Sequence, residues 1–310
     1  MSCVSATKHV LKPPAIGPGA RIGVIAPASP VREEFVTRGV AELERHGFRV
    51  RLGRHLYERR RYTAGSAEAR LEDLVELWES SDVDAIFCAR GGYGSMELLS
   101  RVDSDIFRAR PKVFLGSSDV TALLASLLAR SGIVSFHGPM VAQQIARRAF
   151  DVSNLLRLIQ SKEPGSLKAS GLEILHPGSA EGRLWGGCLS IVTALVGTAH
   201  LPRFEDSVLF LEDTQVKPYQ IDRMLTQLRL AGSFDSVRGL VFGQMPACEQ
   251  HPDQGYALQD VLRDCTRELG IPVTYGFPSG HTRTDTMTIP LGVRVRLDVD
   301  GLTTLEGAVA

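Results

Sequence analysis

Net charge is what this chain most conspicuously lacks. Its 35 lysines and arginines balance 35 aspartates and glutamates over 310 residues. No positive field is left to hold a nucleic-acid backbone by counterion release, so no nucleic acid is expected as a partner. Cysteine is sparse and scattered: the five, Cys3, Cys88, Cys188, Cys248 and Cys265, include no CxxC pair of the kind zinc and redox sites use. Reduced thiols in a cytosol fit that pattern. No run approaches the ~20 apolar residues of a membrane span, and the first residues, interrupted by Lys and Pro, lack the apolar segment of a secretory signal. A soluble, cytoplasmic protein without a membrane partner is expected. Walker A and HExxH sequences are missing too, which sets aside P-loop and zinc-protease chemistry.

What is present is alternation. From Arg21 to about Ile159, short apolar runs alternate with segments of helical period, the pattern of βαβ units around a parallel sheet. RIGVIAP (21–27), FRVRLG (48–53), VDAIFCAR (83–90), KVFLG (112–116) and IVSFHGP (133–139) read as strands. Helices are expected near 32–46, 67–80, 95–101, 119–131 and 151–161. The stretch SKEPGSLKASGLEILHPGS (161–179) loses periodicity and reads as an inter-domain linker, giving domains of 1–165 and 166–310. Beyond it, SVLFLED, VRGLVFGQM and PVTYGF read as strands. MTIPLG and VRVRLDVD are close enough to form an antiparallel hairpin at an edge. A helix begins after Pro218, where Ile221, Met224, Leu225 and Leu228 share a face. The second domain is therefore mixed.

Several segments can carry chemistry. In VFLGSSDVTALLASLLA an apolar strand ends at Gly116, turns through Ser117 and Ser118 and enters a helix, an elbow that projects a hydroxyl at the sheet edge beside free helical N–H groups. The plainer alternative is a helix cap by Ser118 or Asp119. ARGGYGS places Gly91, Gly92 and Gly94 in a turn after another strand, where backbone N–H groups can face a substrate; an ordinary turn or a phosphate loop are the alternatives. A dinucleotide loop needs GxGxxG after the first strand, and APASP stands there instead. Glu212 and Asp213 end an apolar strand, where a carboxylate can orient an imidazole or merely be solvated. Among eight histidines, His281 in YGFPSGHTRTD lies in a loop able to present a side chain to a cleft, and His137 in FHGPM is the alternative base.

Taken together, GSSD (116–119), RGGYG (90–94), FHGP (136–139), GRLWGG (182–187), FLED (210–213) and GFPSGH (276–281) resemble, in order and spacing, the LD-carboxypeptidase family of serine peptidases. The resemblance spans nearly the whole chain. It implies a flavodoxin- or Rossmann-like, doubly wound parallel-sheet domain carrying the nucleophile, followed by a smaller β-rich mixed domain. It implies Ser118 as nucleophile, Glu212 and His281 as its triad partners, and an oxyanion hole from the N–H of Asp119 and one in the Gly91–Gly92 turn. Two positions depart from the family: serine at 117, where an aromatic is more usual, and Cys188, where asparagine is.

The implied reaction is release of terminal D-alanine from an L,D-linked muropeptide tetrapeptide during cell-wall recycling, with no metal or cofactor. A peptide or muropeptide would be the substrate and a homodimer the assembly. Arg90, Arg183 and Arg283 are the candidates for the substrate carboxylate. A microcin-immunity type hydrolase of peptide-nucleotide toxins, with Trp185 or Tyr219 stacked on a base, is the neighbouring alternative. A non-catalytic binding module is the alternative outside the family.

Overall fold

The computed structural model describes residues 10–310, and Cys3 lies outside them. Five strands, β1 (Arg21–Ile25), β2 (Arg49–Leu52), β3 (Ala85–Cys88), β4 (Val113–Gly116) and β5 (Ser135–His137), form a parallel sheet in the order β5-β4-β3-β1-β2. AIFC and VFLG are buried at every residue, as strands covered by helices on both faces must be. The edge strand RVRL buries none of its residues and exposes Arg49 and Leu52. Helices α1 (Glu33–Arg45), α2 (Ala67–Glu79), α3 (Ser104–Ala109), α4 (Thr121–Ser126) and α5 (Val152–Gln160) make the connections. The strand order reverses between β1 and β3, so the crevice outside their C-terminal ends is where such a sheet binds ligands.

The second sheet contains eight strands: β6 (Ser166–Lys168), β7 (Glu173–His176), β8 (Ala180–Cys188), β9 (Ser207–Glu212), β10 (Val237–Gly243), β11 (Val273–Phe277), β13 (Arg294–Asp298) and β14 (Gly301–Thr304). Its centre, β8-β9-β10-β11, is parallel, while β6, β7, β13 and β14 pair antiparallel at the flanks. Helices α6 (Leu189–Ala194), α7 (Pro218–Leu230) and α8 (Leu258–Thr266) complete this part. Helix α7 starts with Pro218 in its first turn and buries Ile221, Leu225 and Leu228.

Two sequence expectations need correction. The segment read as a linker contains β6 and β7, the two outermost strands of the second sheet. Each is short and only partly buried, so an edge position leaves little hydrophobic pattern to read. The expected terminal hairpin is also different. Strand β12 (Ile289–Leu291) leaves the second sheet and pairs with β5 at the edge of the first, with Ile289 opposite His137. The hairpin partner of β13 is β14. Burial explains the split: IPL is buried throughout, with Pro290 tolerated on an edge strand, whereas RVRLD alternates between buried and open faces. Gly292, at φ +102°, turns the chain from one sheet to the other.

No helix among the described residues is long and apolar enough to cross a membrane.

Candidate active site

At the end of β4 the chain makes a sharp turn. A side chain on Gly116 would lie 2.6 Å from Val120 Cγ1, so only glycine lets the strand close onto the following helix. Ser117 is extended and buried; Ser118 is half-buried and sits at φ +58°, a left-handed conformation that a non-glycine residue adopts at a cost. Neither serine caps the helix. The carboxylate of Asp119 instead accepts the N–H of Ser95 at 2.8 Å, tying the elbow to the chain that follows the glycine turn. The capping alternative is thereby removed, and the Ser118 hydroxyl is left for other chemistry.

The glycine turn lies against this elbow. A Cβ on Gly91 would be 2.8 Å from Ser118 Cβ, 3.0 Å from its Oγ and 3.3 Å from the backbone nitrogen of Asp119. Gly92, at φ +109°, leaves room for Ser29, whose Oγ would be 2.3 Å from a Cβ there. Ser29 Oγ donates to the Tyr62 carbonyl at 2.8 Å and accepts the Tyr93 N–H at 3.1 Å, while its N–H donates to the Gly91 carbonyl. Among the described residues the Gly92 N–H makes no backbone hydrogen bond. The loops after β1, β3 and β4 thus converge at the switch point of the sheet. Ser29 was not singled out in the sequence; APASP offered no motif to mark it.

Glu212 ends β9, a strand buried at every residue, and is itself fully buried. Two glycines make its socket: side chains on Gly243 and Gly280 would lie 2.6 Å from its Cβ and 2.5 Å from its Cδ. Its Oε2 accepts the backbone N–H of His281 at 2.9 Å and lies 2.8 Å from Nδ1 of the same residue. That contact puts the imidazole proton on Nδ1 and leaves Nε2 as the free base nitrogen. Burial pushes the Glu212 carboxyl up, but the charge and hydrogen bonds of His281 outweigh it and hold the group below the usual range. Burial pushes His281 down, and Glu212, with a smaller contribution from Asp213, outweighs it and raises the imidazole. Asp213 has a different task, accepting the N–H groups of Ser190, in the first turn of α6, and of Thr214.

The two halves of the chain meet here. In the β4–β5 register His137 stands opposite Gly116, two residues before Ser118, and its Nε2 lies 3.9 Å from Glu212 Oε1. His137 is fully buried, with its imidazole pushed down to about 4 chiefly by that burial. It is therefore neutral and out of reach of a substrate, which removes it as the alternative base. On the other side, the Cys188 N–H donates to Thr121 Oγ1 at 3.0 Å, and Gly187 leaves space for that threonine, docking β8 against α4. Burial, with Glu212 and Asp213 nearby, raises the Cys188 thiol well above its usual range, so it offers no thiolate. No hydrogen bond joins Ser118 Oγ to His281 among the described residues.

The structure separates the five residues considered for substrate binding. Arg90 is exposed beside the glycine turn and donates to the Pro30 carbonyl at 3.0 Å. Arg283 is exposed two residues beyond His281 and forms an ion pair with Glu249. Arg183 does not reach this region: it pairs with Ser207 at the start of β9, whereas Cys188 pairs with Glu212 at its end, and its guanidinium donates to the Gly292 carbonyl. Trp185 is a core residue, 1% exposed and packed 5.7 Å from the Phe204 ring, so it cannot stack on a substrate. Tyr219 is exposed, with the Arg223 guanidinium over its ring.

Comparison with known proteins gives a consistent picture. Residues 22–138 match the family model of the LD-carboxypeptidase N-terminal domain, and residues 181–297 match that of the C-terminal domain. The chain is 37% identical to a putative carboxypeptidase of Streptomyces coelicolor, over 96% of its own length and 97% of the relative's. It is 34% identical to a probable murein peptide carboxypeptidase of Bacillus subtilis, over 93% and 91%. The crystal structure of a muramoyltetrapeptide carboxypeptidase from Oxalobacter formigenes superposes with a TM-score of 0.83 at 30% identity, covering 93% of this chain and 98% of that one.

Proposed function

This chain belongs to the LD-carboxypeptidase family in both of its domains, and from that premise we propose that it is a serine carboxypeptidase releasing terminal D-alanine from an L,D-linked muropeptide tetrapeptide. The observation that carries the proposal is the 2.8 Å contact between Glu212 Oε2 and His281 Nδ1, set in a dry socket at the junction with the left-handed Ser118 elbow.

In this mechanism His281 Nε2 takes the Ser118 proton as Oγ attacks the scissile carbonyl. The oxyanion of the tetrahedral intermediate is met by the N–H of Asp119 and that of Gly92 in the adjoining turn, with Gly91 giving the close approach. Collapse breaks the C–N bond, and the imidazolium returns its proton to the departing D-alanine amine. A water, deprotonated by the same nitrogen, then attacks the acyl-enzyme and regenerates Ser118. Glu212 remains ionised throughout, fixing the tautomer and stabilising the imidazolium. Substrate recognition falls to Arg90 or Arg283, which flank the site and can donate to a terminal carboxylate. The same reading places the reaction in cytoplasmic wall recycling, performed by a homodimer.

The test is release of D-alanine from L-Ala-γ-D-Glu-meso-diaminopimelyl-D-Ala by the unaltered protein and by Ser118→Ala. Release that disappears in the variant supports both reaction and nucleophile. Equal release by the two proteins would remove Ser118 from the mechanism, and none from either would remove the substrate.

A further inference from the structure

His137 is a buried polar group that the chemistry above does not use. Its ring is fully enclosed, with Phe210 packed edge-on at 5.3 Å between centroids. Nδ1 lies 3.2 Å from the hydroxyl of Ser279, itself fully buried. Nε2 has no hydrogen-bond partner, and neither does Glu212 Oε1, the atom it faces at 3.9 Å. Two unsatisfied buried polar atoms facing each other are costly unless they are partners, because each has lost its water.

The charge of Glu212 decides which nitrogen of His137 carries the proton. With the proton on Nδ1, the lone pair of Nε2 would point at a buried carboxylate, a repulsion in a low-dielectric setting. With the proton on Nε2, the N–H points at Glu212 Oε1 across 3.9 Å, an electrostatic attraction, while Nδ1 accepts from the Ser279 hydroxyl. The separation is longer than a normal N–H···O bond by about 1 Å, as catalytic hydrogen bonds often are in an enzyme without its substrate.

We propose that His137 is a positioning residue for Glu212: its Nε2–H holds Oε1 while His281 occupies Oε2, so the carboxylate is gripped from both sheets. The inference rests on the triad reading given above. Its structural meaning lies in the register. His137 stands opposite Gly116 of the nucleophile strand and opposite Ile289 of β12. A shift of the Ser118 domain against the second sheet therefore shifts the donor on Glu212 as well, coupling the orientation of the base to the placement of the nucleophile. The charged and titratable groups facing this pair are His281, Asp213 and the thiols of Cys188 and Cys248. A neutral donor on Glu212 draws negative charge away from His281, so its loss raises the pKa of His281.

Long-range proton–nitrogen correlation spectra of the unaltered protein, labelled at histidine nitrogens, read the tautomer without turnover. The His137 ring is assigned through its contact with Phe210. Protonation on Nε2 and a bare Nδ1 at neutral pH are expected; protonation on Nδ1 overturns the proposal. In turnover, His137→Leu is expected to lower kcat about ten- to hundredfold, the worth of a hydrogen bond to a charged group, with KM within about twofold. The acidic limb of kcat/KM should move up. His137→Gln, which keeps an N–H donor, should recover most of kcat and return the limb. Equal losses in both variants with an unmoved limb would make His137 merely structural and sink the idea. If the unaltered protein releases no D-alanine, the serine peptidase reading fails separately, and the tautomer still decides whether His137 donates to Glu212. Should His137→Leu fail to fold, the tautomer carries the test: Nε2–H is expected to persist in Ser279→Ala, because Glu212 sets it, and its loss there overturns the proposal.

Discussion

Gly280 and Glu212 are in contact so close that no side chain fits between them: a Cβ on the glycine would lie 2.5 Å from the carboxyl carbon of Glu212 and 2.8 Å from Oε2. Gly280 also sits at φ +81°, where other residues are strained. Gly280→Ala should therefore displace the carboxylate from His281, lowering kcat by about two orders of magnitude and stability by roughly 1 kcal/mol or more. Steady-state kinetics beside a denaturant titration separates the two effects.

Gly91→Ala makes a second probe of the same kind. Its backbone is not in the left-handed region, so the substitution adds only a methyl, 2.8 Å from Ser118 Cβ and 3.0 Å from its Oγ, and the elbow must shift to admit it. Activity should fall about a hundredfold, because a small misplacement at the reacting atoms has that effect, with a loss of stability of about 1–3 kcal/mol from the overlap. Slower labelling of Ser118 by a fluorophosphonate would report the obstruction directly.

Glu212→Gln keeps the volume of the side chain and removes its charge. The contact with His281 Nδ1 no longer fixes the proton there, and kcat should drop by about 10³–10⁴. With the largest force raising its pKa removed, His281 should titrate lower, which nuclear magnetic resonance of its ring protons can follow.

Two histidines shift in opposite directions, and pH separates them. His281 is raised above the ordinary imidazole value of 6.5, so the acidic limb of kcat/KM should lie above 6.5, where the base becomes free. His137 is depressed from 6.5 to about 4. Between those values the unfolded chain binds the extra proton and the folded one does not, so stability rises with pH through this window. The full span amounts to about 3 kcal/mol. Urea titrations at pH 7 and pH 5 should show the loss at the lower pH, and His137→Gln should flatten it.

Arg183→Ala and Trp185→Phe should leave KM unchanged. The tryptophan substitution should lower stability by about 1–3 kcal/mol through lost packing, whereas Arg90→Ala or Arg283→Ala should raise KM for a substrate with a free carboxylate. A rise in KM with Arg183→Ala would mean that the substrate extends along β8 to its Arg183 end.

Much of this was legible because parallel strands buried on both faces are written as uninterrupted apolar runs, VFLG and AIFC among them. The glycines of RGGYG could also be marked, since a turn that closely approaches another segment needs them. Arg183 and Trp185 were harder. They precede the Gly186–Gly187 pair near the end of β8, yet a strand advances about 3.3 Å per residue, so Arg183 lies roughly 16 Å from Cys188. Proximity in sequence says nothing about which end of a strand faces the cleft. The role of His137 was obscure for a related reason: FHGP displays a histidine after a strand, but only the packing of the first sheet against the second reveals that it faces Glu212.

The return of β12 to the first sheet also governs the order in which the protein can be completed during synthesis. The edge of β5, with His137 at its end, stays uncovered until residues 289–291 leave the ribosome, although Ser118 was made long before. The first sheet thus receives its last edge strand only after most of the second has been made. Cutting the gene between the sheets would strip the first of that strand.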